Sequence, residues 1–293
     1  MVSWNTQALF AADPMKHAAK SKQVRAFMMT HDVGGWTETH GTKDGNGAWR
    51  NPDGCTSWWS PSSSTAIAGV GLTFKNVFLS RFDPDPKWVV ILPGRAAVLR
   101  LSGKDGALDL FIVYFHTGVQ AFPQDVIDAG LNSQDRHLTP AYLREALRHR
   151  ITKKIRPLDQ ALTFLMGDFN YVMDPADRRC LSSTEVTGGR DMHDAQRWRN
   201  LIEDRHHVHE LYQPEMTYAS PNSRSRIDRF YCNQYEVEYM GRAFTCTALS
   251  WIPALSRHRP ISFRKQIPEF RSQLNKPIPE QVLEHADWPR RFL

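Results

Sequence analysis

Cysteine is scarce in this chain of 293 residues: Cys55, Cys180, Cys232 and Cys246 stand far apart and form no CxxC pair. That excludes zinc-ligand spacing and the density of a secreted disulfide scaffold, leaving buried or half-buried free thiols. Long apolar runs are missing too. The longest, Trp88-Val-Val-Ile-Leu92 and Phe111-Ile-Val-Tyr-Phe115, are strand-sized and fall far short of the ~18 residues of a membrane helix. Met1-Val-Ser-Trp-Asn5 offers neither a basic n-region nor an apolar h-region, so no signal peptide is visible. There is no internal repeat and no long Lys/Arg cluster. A soluble, intracellular, monomeric protein without a membrane partner is the expectation.

What is present is an ordinary globular composition, 41% hydrophobic and 23% charged, with a net charge of +6. A basic surface concentrates polyanions, because neutralising phosphates releases condensed counterions. By itself the charge selects no function; it gains meaning beside a phosphate-handling site.

Hydrophobic periodicity predicts strands at 2–6 and 32–38 around a helix over about 15–30, where Val24, Phe27 and Met28 share a face. Residues 41–64 read as a turn-rich loop, with Trp58 and Trp59 plugging the core edge. From 66 to 116 strand follows strand, and Ala96–Leu101 and Ala107–His116 flank a hairpin turn at Ser102–Gly106. Leu108, Leu110 and Ile112 fall on one face of the second arm and Phe111 and Val113 on the other, the pattern of a strand covered on both sides. A helix over 139–156 has Thr139 as its cap and a stripe of Leu143, Leu147, Ile151 and Ile155; its basic faces, with Arg144, Arg148, Arg150, Lys153, Lys154 and Arg156, read as solvated. Leu162–Met166 is a buried strand, a helix follows near 191–204, and strands return at 226–232, 243–250 and 260–264. His206, His207 and His209 lack standard metal spacing and read as a solvated helix end. One domain over 1–267 followed by a tail or linker at 268–293 is expected.

Polar residues recur at strand ends: Asn5, Glu38, Tyr114, Asp168 with Asn170, Asp228 and His258. Strands ending this way gather such groups along one edge of a layered fold. Carboxylate and amide oxygens suit Mg²⁺, and a histidine beside an acid suits proton transfer or stabilisation of a charged phosphoryl group.

Six segments carry a family resemblance. Ser3-Trp-Asn5, Thr37-Glu-Thr-His40, Val113-Tyr114, Met166-Gly-Asp-Phe-Asn170, Ser225-Arg-Ile-Asp-Arg-Phe230 and Ser256-Arg-His-Arg-Pro260 resemble, in order, the motif series of the endonuclease/exonuclease/phosphatase superfamily. The Ser-Arg-Ile-Asp-Arg wording is most similar to the apurinic-endonuclease-type domains of LINE-type retrotransposons. The resemblance implies a deoxyribonuclease I-like four-layered α/β sandwich of two mixed sheets with outer helices, dependence on Mg²⁺ or Mn²⁺, and nicking of DNA to leave a 3′-hydroxyl. It further implies that Glu38 binds the metal with Asn5 ordering that site, and that Tyr114 faces the scissile phosphate. Asp168 would orient or deprotonate the attacking water, Asn170 would hold it or a phosphate oxygen, and Asp228 would bond the catalytic His258. Arg224 and Arg226 are expected at the DNA. A reverse-transcriptase segment in a longer polyprotein and a nuclear location also follow from the resemblance alone; no polymerase motif is present in the chain.

The series departs from its pattern at Arg257, where an aspartate beside the metal is usual. Two units of charge change there, and a charge pair at ~4 Å is worth about 4 kcal/mol at an effective dielectric near 20. Arg257 either weakens metal binding or turns to the DNA backbone. His116-Thr117 stands in place of a Pro-Asn pair, and Thr37 in place of a glutamine. A phosphatase on a small or lipid phosphate and a catalytically impaired DNA-binding remnant are the alternative readings.

Overall fold

A computed structural model describes residues 1–41, 49–62, 68–104, 106–118, 123–130, 139–183, 185–233 and 244–265. The expected tail at 268–293 and parts of the expected 41–64 loop lie outside the described residues. In chain order the strands are β1 (Val2–Asn5), β2 (Val33–Thr37), β3 (Cys55–Ser60), β4 (Val70–Lys75), β5 (Lys87–Leu92), β6 (Ala96–Gly103), β7 (Gly106–Tyr114) and β8 (Leu162–Asp168). They continue with β9 (Arg178–Cys180), β10 (His209–Glu210), β11 (Tyr218–Ala219), β12 (Ser223–Ser225), β13 (Asp228–Cys232), β14 (Phe244–Ala248) and β15 (Ile261–Lys265). The helices are α1 (Pro14–Thr30), α2 (Asn76–Leu79), α3 (Pro123–Asp128), α4 (Pro140–Thr152), α5 (Met192–Trp198) and α6 (Asp204–His206).

Two six-stranded sheets form the centre, ordered β14-β15-β1-β2-β4-β3 and β10-β13-β8-β7-β6-β5. Both are mixed: β1 runs parallel to β2 and β7 parallel to β8, while the other pairings are antiparallel. Leu72, Phe74, Leu99, Leu110, Ile112, Met166 and Phe230 fill the space between the sheets. Phe111, Val113, Leu147, Ile151 and Trp198 seal the second sheet against the helices outside it, and Trp4, Val24, Phe27 and Trp36 seal the first against α1. Each such side chain removes apolar area worth about 1.5–3 kcal/mol. The result is the α/β sandwich of four layers, and β7 is apolar on both faces because it lies between two of its cores.

Local chemistry starts the helices as the sequence implies. Asp13 caps α1 by accepting from the Met15 and Lys16 amides, and the Thr139 hydroxyl accepts from Tyr142 N at the start of α4. Two glycines permit close approach. A Cβ on Gly35 would lie 2.5 Å from Met166 Sδ, across the inter-sheet core, and one on Gly167, at φ +139°, would lie 1.9 Å from the Val113 carbonyl oxygen.

Three expectations need correction. Trp58 and Trp59 lie on the paired strand β3 rather than in a loop, because their rings pack on Phe74 and on Phe10 with Trp49. The helix near 191–204 is a 3₁₀ turn (Gly188–Asp191), α5, a π-turn (Arg199–Glu203) and α6 in succession, and His209 sits on β10 instead of a helix end. The basic side of α4 is only partly solvated. Arg148 is 1% exposed, stacked over Phe115 and Tyr171 and paired with Asp194 and Glu145, and Arg156 is bonded to Asp109.

Candidate active site

Strand register assembles the site. Tyr114 stands opposite Asp168 across the parallel β7–β8 pair, and Asp168 stands opposite Asp228 across β8–β13. Three residues distant in sequence therefore share one rung at the end of the second sheet. In the first sheet Asn5 is level with Thr37, and the chain turns at Glu38 immediately beyond. Glu38 and Asn170 both adopt left-handed backbone, at φ 52° and 56°, a conformation non-glycine residues seldom hold unless their surroundings enforce it.

Asn5 joins the two sheets. Its side-chain nitrogen donates to Glu38 Oε2 at 2.9 Å and to Asp168 Oδ2 at 2.8 Å, while its side-chain Oδ1 accepts from Gln7 N at 3.0 Å. Asn5 thus orders both carboxylates as a donor. Asp168 also accepts from Asn170 N at 2.8 Å, and Asn170 Nδ2 donates to the Phe115 carbonyl. The last motif arrives from far along the chain. The Ser256 hydroxyl donates to the Asn5 carbonyl and accepts from His258 N, and Trp4 Nε1 donates to the His258 carbonyl. His258 Nδ1 is thereby set 2.9 Å from Asp228 Oδ2, with Nε2 3.8 Å from Asp168 Oδ2. Tyr218 of β11 packs on the His258 ring at 4.7 Å between centroids.

Burial and charge tune these groups. Burial raises the Asp168 carboxyl well above the usual carboxylate range, and the neighbouring Asp228 charge adds to it. Burial opposes a charged His258, but Asp228 and Asp168 outweigh that effect and lift the imidazole to about 9. For Glu38, burial is overcome by contacts with His40 and Asn5, which hold the carboxyl below its ordinary value. The Tyr114 hydroxyl is buried against Glu38 and stays a phenol far up the pH scale. The site therefore holds an ionised Glu38, a proton-accepting Asp168 and a cationic His258.

These residues open into a cleft of about 650 Å³, lined by Glu38, Tyr114, Asp168, Asn170 and His258. Of its remaining wall, Arg144 belongs to the helix face expected to be solvated and Thr117 to a departure from the family pattern, whereas Gln7, Gly118, Arg178, Arg190, Asp191, Tyr218, Ser223, Ser225 and Ile227 were not singled out from the sequence. Arg178 is held by Ser225 Oγ and Asp191, Arg144 by Asp194 and the His116 carbonyl, and the Arg190 side chain is 78% exposed. For Arg178 and Arg190 the only sequence signal was net charge, in a segment without periodicity; Ser225 and Ile227 lay inside a quoted motif unassigned.

Three expected substrate contacts are not in that lining. Arg226 is 3% exposed, bidentate to Asp177 and paired with Glu210. Arg224 lies between the cleft-lining Ser223 and Ser225, so strand alternation turns it to the other face, where it stacks on Trp251 at 5.8 Å. Arg257 is exposed, its amide donating to Gln7 Oε1 at 2.8 Å.

The chain belongs to the Endonuclease/Exonuclease/phosphatase family, whose model matches residues 2–245. His258 lies past that span and is returned to the site by the fold. Among solved structures it is similar to the endonuclease domain of TRAS1, a telomere-specific non-LTR retrotransposon, at 14% identity and TM-score 0.52, covering 92% of this chain and 98% of that one. It is also similar to the Xenopus laevis APE2 catalytic domain, at 17% identity and TM-score 0.57 with 90% of each chain covered. A third is D. rerio TDP2 complexed with single-strand DNA product, at 14% identity and TM-score 0.50, covering 90% of this chain and 98% of that one. At these identities the likeness is one of fold. No curated protein sequence matches the chain.

Proposed function

We propose that the chain is a divalent-metal-dependent endonuclease that hydrolyses a phosphodiester of DNA. The observation that carries this reading is the meeting of Asp168 with the His258–Asp228 pair and the Asn5–Glu38 pair at the floor of a cleft walled by Arg144, Arg178 and Arg190. A phosphodiester is an anion that needs an activated water, donors to its non-bridging oxygens and cations along its flanks.

The donor set fits Mg²⁺ or Mn²⁺. Glu38 and Asp168 present oxygen ligands to one edge, the Asn5 amide holds both carboxylates, and Glu38 is kept ionised. A bound ion would polarise the phosphate and ease water deprotonation. The protein's own groups do the rest. Asp168, poised as a base, takes a proton from the water that attacks phosphorus, and Asn170 orients that water. The His258 imidazolium and the Tyr114 hydroxyl donate to the non-bridging oxygens as their charge grows, Asp228 holds the imidazole upright, and the ester P–O bond breaks with the 3′-oxygen leaving and taking a proton from solvent water to become the 3′-hydroxyl. Arg257 stands where the family pattern has an aspartate, which lowers metal affinity in this reading.

The Ser225-Arg-Ile-Asp-Arg wording supports a retrotransposon setting, with the endonuclease acting in the nucleus as part of a polyprotein that also holds a reverse transcriptase. Incubating the protein with Mg²⁺ or Mn²⁺ and either supercoiled plasmid or inositol-lipid vesicles tests the substrate: open-circular DNA without phosphate release supports the endonuclease, and phosphate release without nicking replaces it with a phosphatase.

A further inference from the structure

His40 has no place in the mechanism above, yet it sits against the metal-site carboxylate. Its Nε2 lies 3.4 Å from Glu38 Oε1, the oxygen that Asn5 does not hold. That separation is long for a hydrogen bond, and among the described residues the buried atom has no hydrogen-bond partner that is closer. Its contact with Glu38 is a loose ion pair, wide enough for a cation to sit between the two ligand atoms.

The backbone fixes the pair. Glu38 and His40 both adopt left-handed conformations, at φ 52° and 56°, on either side of Thr39. The Thr39 and His40 amides donate to the Gly69 and Ala68 carbonyls, so both side chains are held on one side of a pinned segment. An octahedral ion with bonds of ~2.1 Å puts adjacent ligand atoms ~3.0 Å apart, so the observed gap closes with a shift of a few tenths of an ångström. The carboxylate and imidazole are both ligand types.

We propose that His40 is a ligand of the ion bound by Glu38, which makes this a mixed oxygen–nitrogen site favouring Mn²⁺ over Mg²⁺. The inference rests on the metal-dependent reading of the cleft. An all-oxygen site suits Mg²⁺, whereas an imidazole ligand tilts selection to first-row transition ions.

The test uses wild type and His40→Asn, since asparagine tolerates left-handed backbone and the His40 side chain is partly exposed. Calorimetric titration with Mn²⁺ and Mg²⁺ is paired with electron spin-echo spectroscopy of the Mn²⁺ complex. Wild type is expected to show modulation from a coordinated ¹⁴N. His40→Asn loses that modulation, and Mn²⁺ affinity falls about tenfold or more while Mg²⁺ affinity changes less than about twofold. Persistence of the modulation and of Mn²⁺ affinity in the variant overturns the assignment and leaves the metal site standing. Failure of wild type to bind either ion overturns the metal reading itself.

Discussion

Asp168 and Asp228 are register partners on adjacent antiparallel strands, two buried carboxylates facing one imidazole. A neighbouring carboxylate charge disfavours ionisation of Asp168. Asp228 is closest to His258 and holds it as a cation, while Asp168 is pushed up and becomes the base.

A bell-shaped pH dependence of nicking follows. The base form of Asp168 appears as pH rises through about 7, and the acid form of His258 is lost as pH passes about 9. Asp228→Asn removes the charge that raises the histidine, so the alkaline limb moves down by at least about one unit, with a rate loss on the order of 10²-fold or more. Initial nicking rates across pH 5–10 at saturating metal check this (about five units spanning both groups), and an alkaline limb unmoved in the variant would detach Asp228 from the histidine.

Gly167 precedes the base and has room for no side chain. Gly167→Ala sets a methyl against the Val113 carbonyl at a φ that alanine resists, so a loss of roughly 2–4 kcal/mol is expected in urea unfolding. A stability loss under about 0.5 kcal/mol would show that β8 does not need this close approach.

A buried arginine and a cleft-wall arginine should behave oppositely. Arg226→Ala removes the bidentate partner of Asp177 and leaves Asp177 and Glu210 only the longer contacts to Arg229, and should cost about 3–5 kcal/mol of stability. Arg190→Ala should leave the melting temperature unchanged but weaken DNA binding, lowering the slope of log K against log salt by about 1. Fluorescence anisotropy across a salt series, with thermal melts alongside, separates the two; the reverse pattern would move the DNA contact to Arg226.

Arg257→Asp restores a carboxylate to the position where the family pattern places one. Calorimetry should show Mg²⁺ binding tightened by about tenfold or more, since even 1.4 kcal/mol of recovered attraction gives that factor. Unchanged Mg²⁺ affinity would mean the exposed Arg257 side chain does not act on the metal.

Much of this was legible in the sequence because strand ends carry their chemistry in short ordered words. The residues of the central rung, Tyr114, Asp168 and Asp228, stand in three such words, and register places them side by side. The alternation of Leu110, Phe111, Ile112 and Val113 likewise revealed a strand between two cores. What stayed hidden depends on tertiary partners. Arg148 looks like a solvated cation and Arg226 like a DNA contact until Asp194 and Asp177, tens of residues away, are brought to them. Arg178, on β9, and Arg190, in the 3₁₀ turn, join the cleft through short elements whose course no periodicity foretells.

Metal-dependent nicking by the assembled site is most directly tested with supercoiled plasmid, comparing wild type with Glu38→Ala and Asp168→Asn in Mg²⁺ and in Mn²⁺. The account predicts open-circular DNA with a polymerase-extendable 3′-hydroxyl from wild type, none with chelator, and losses on the order of 10²-fold or more in both variants. Equal nicking by wild type and the variants, or no nicking by wild type or Arg257→Asp with either ion, would contradict it.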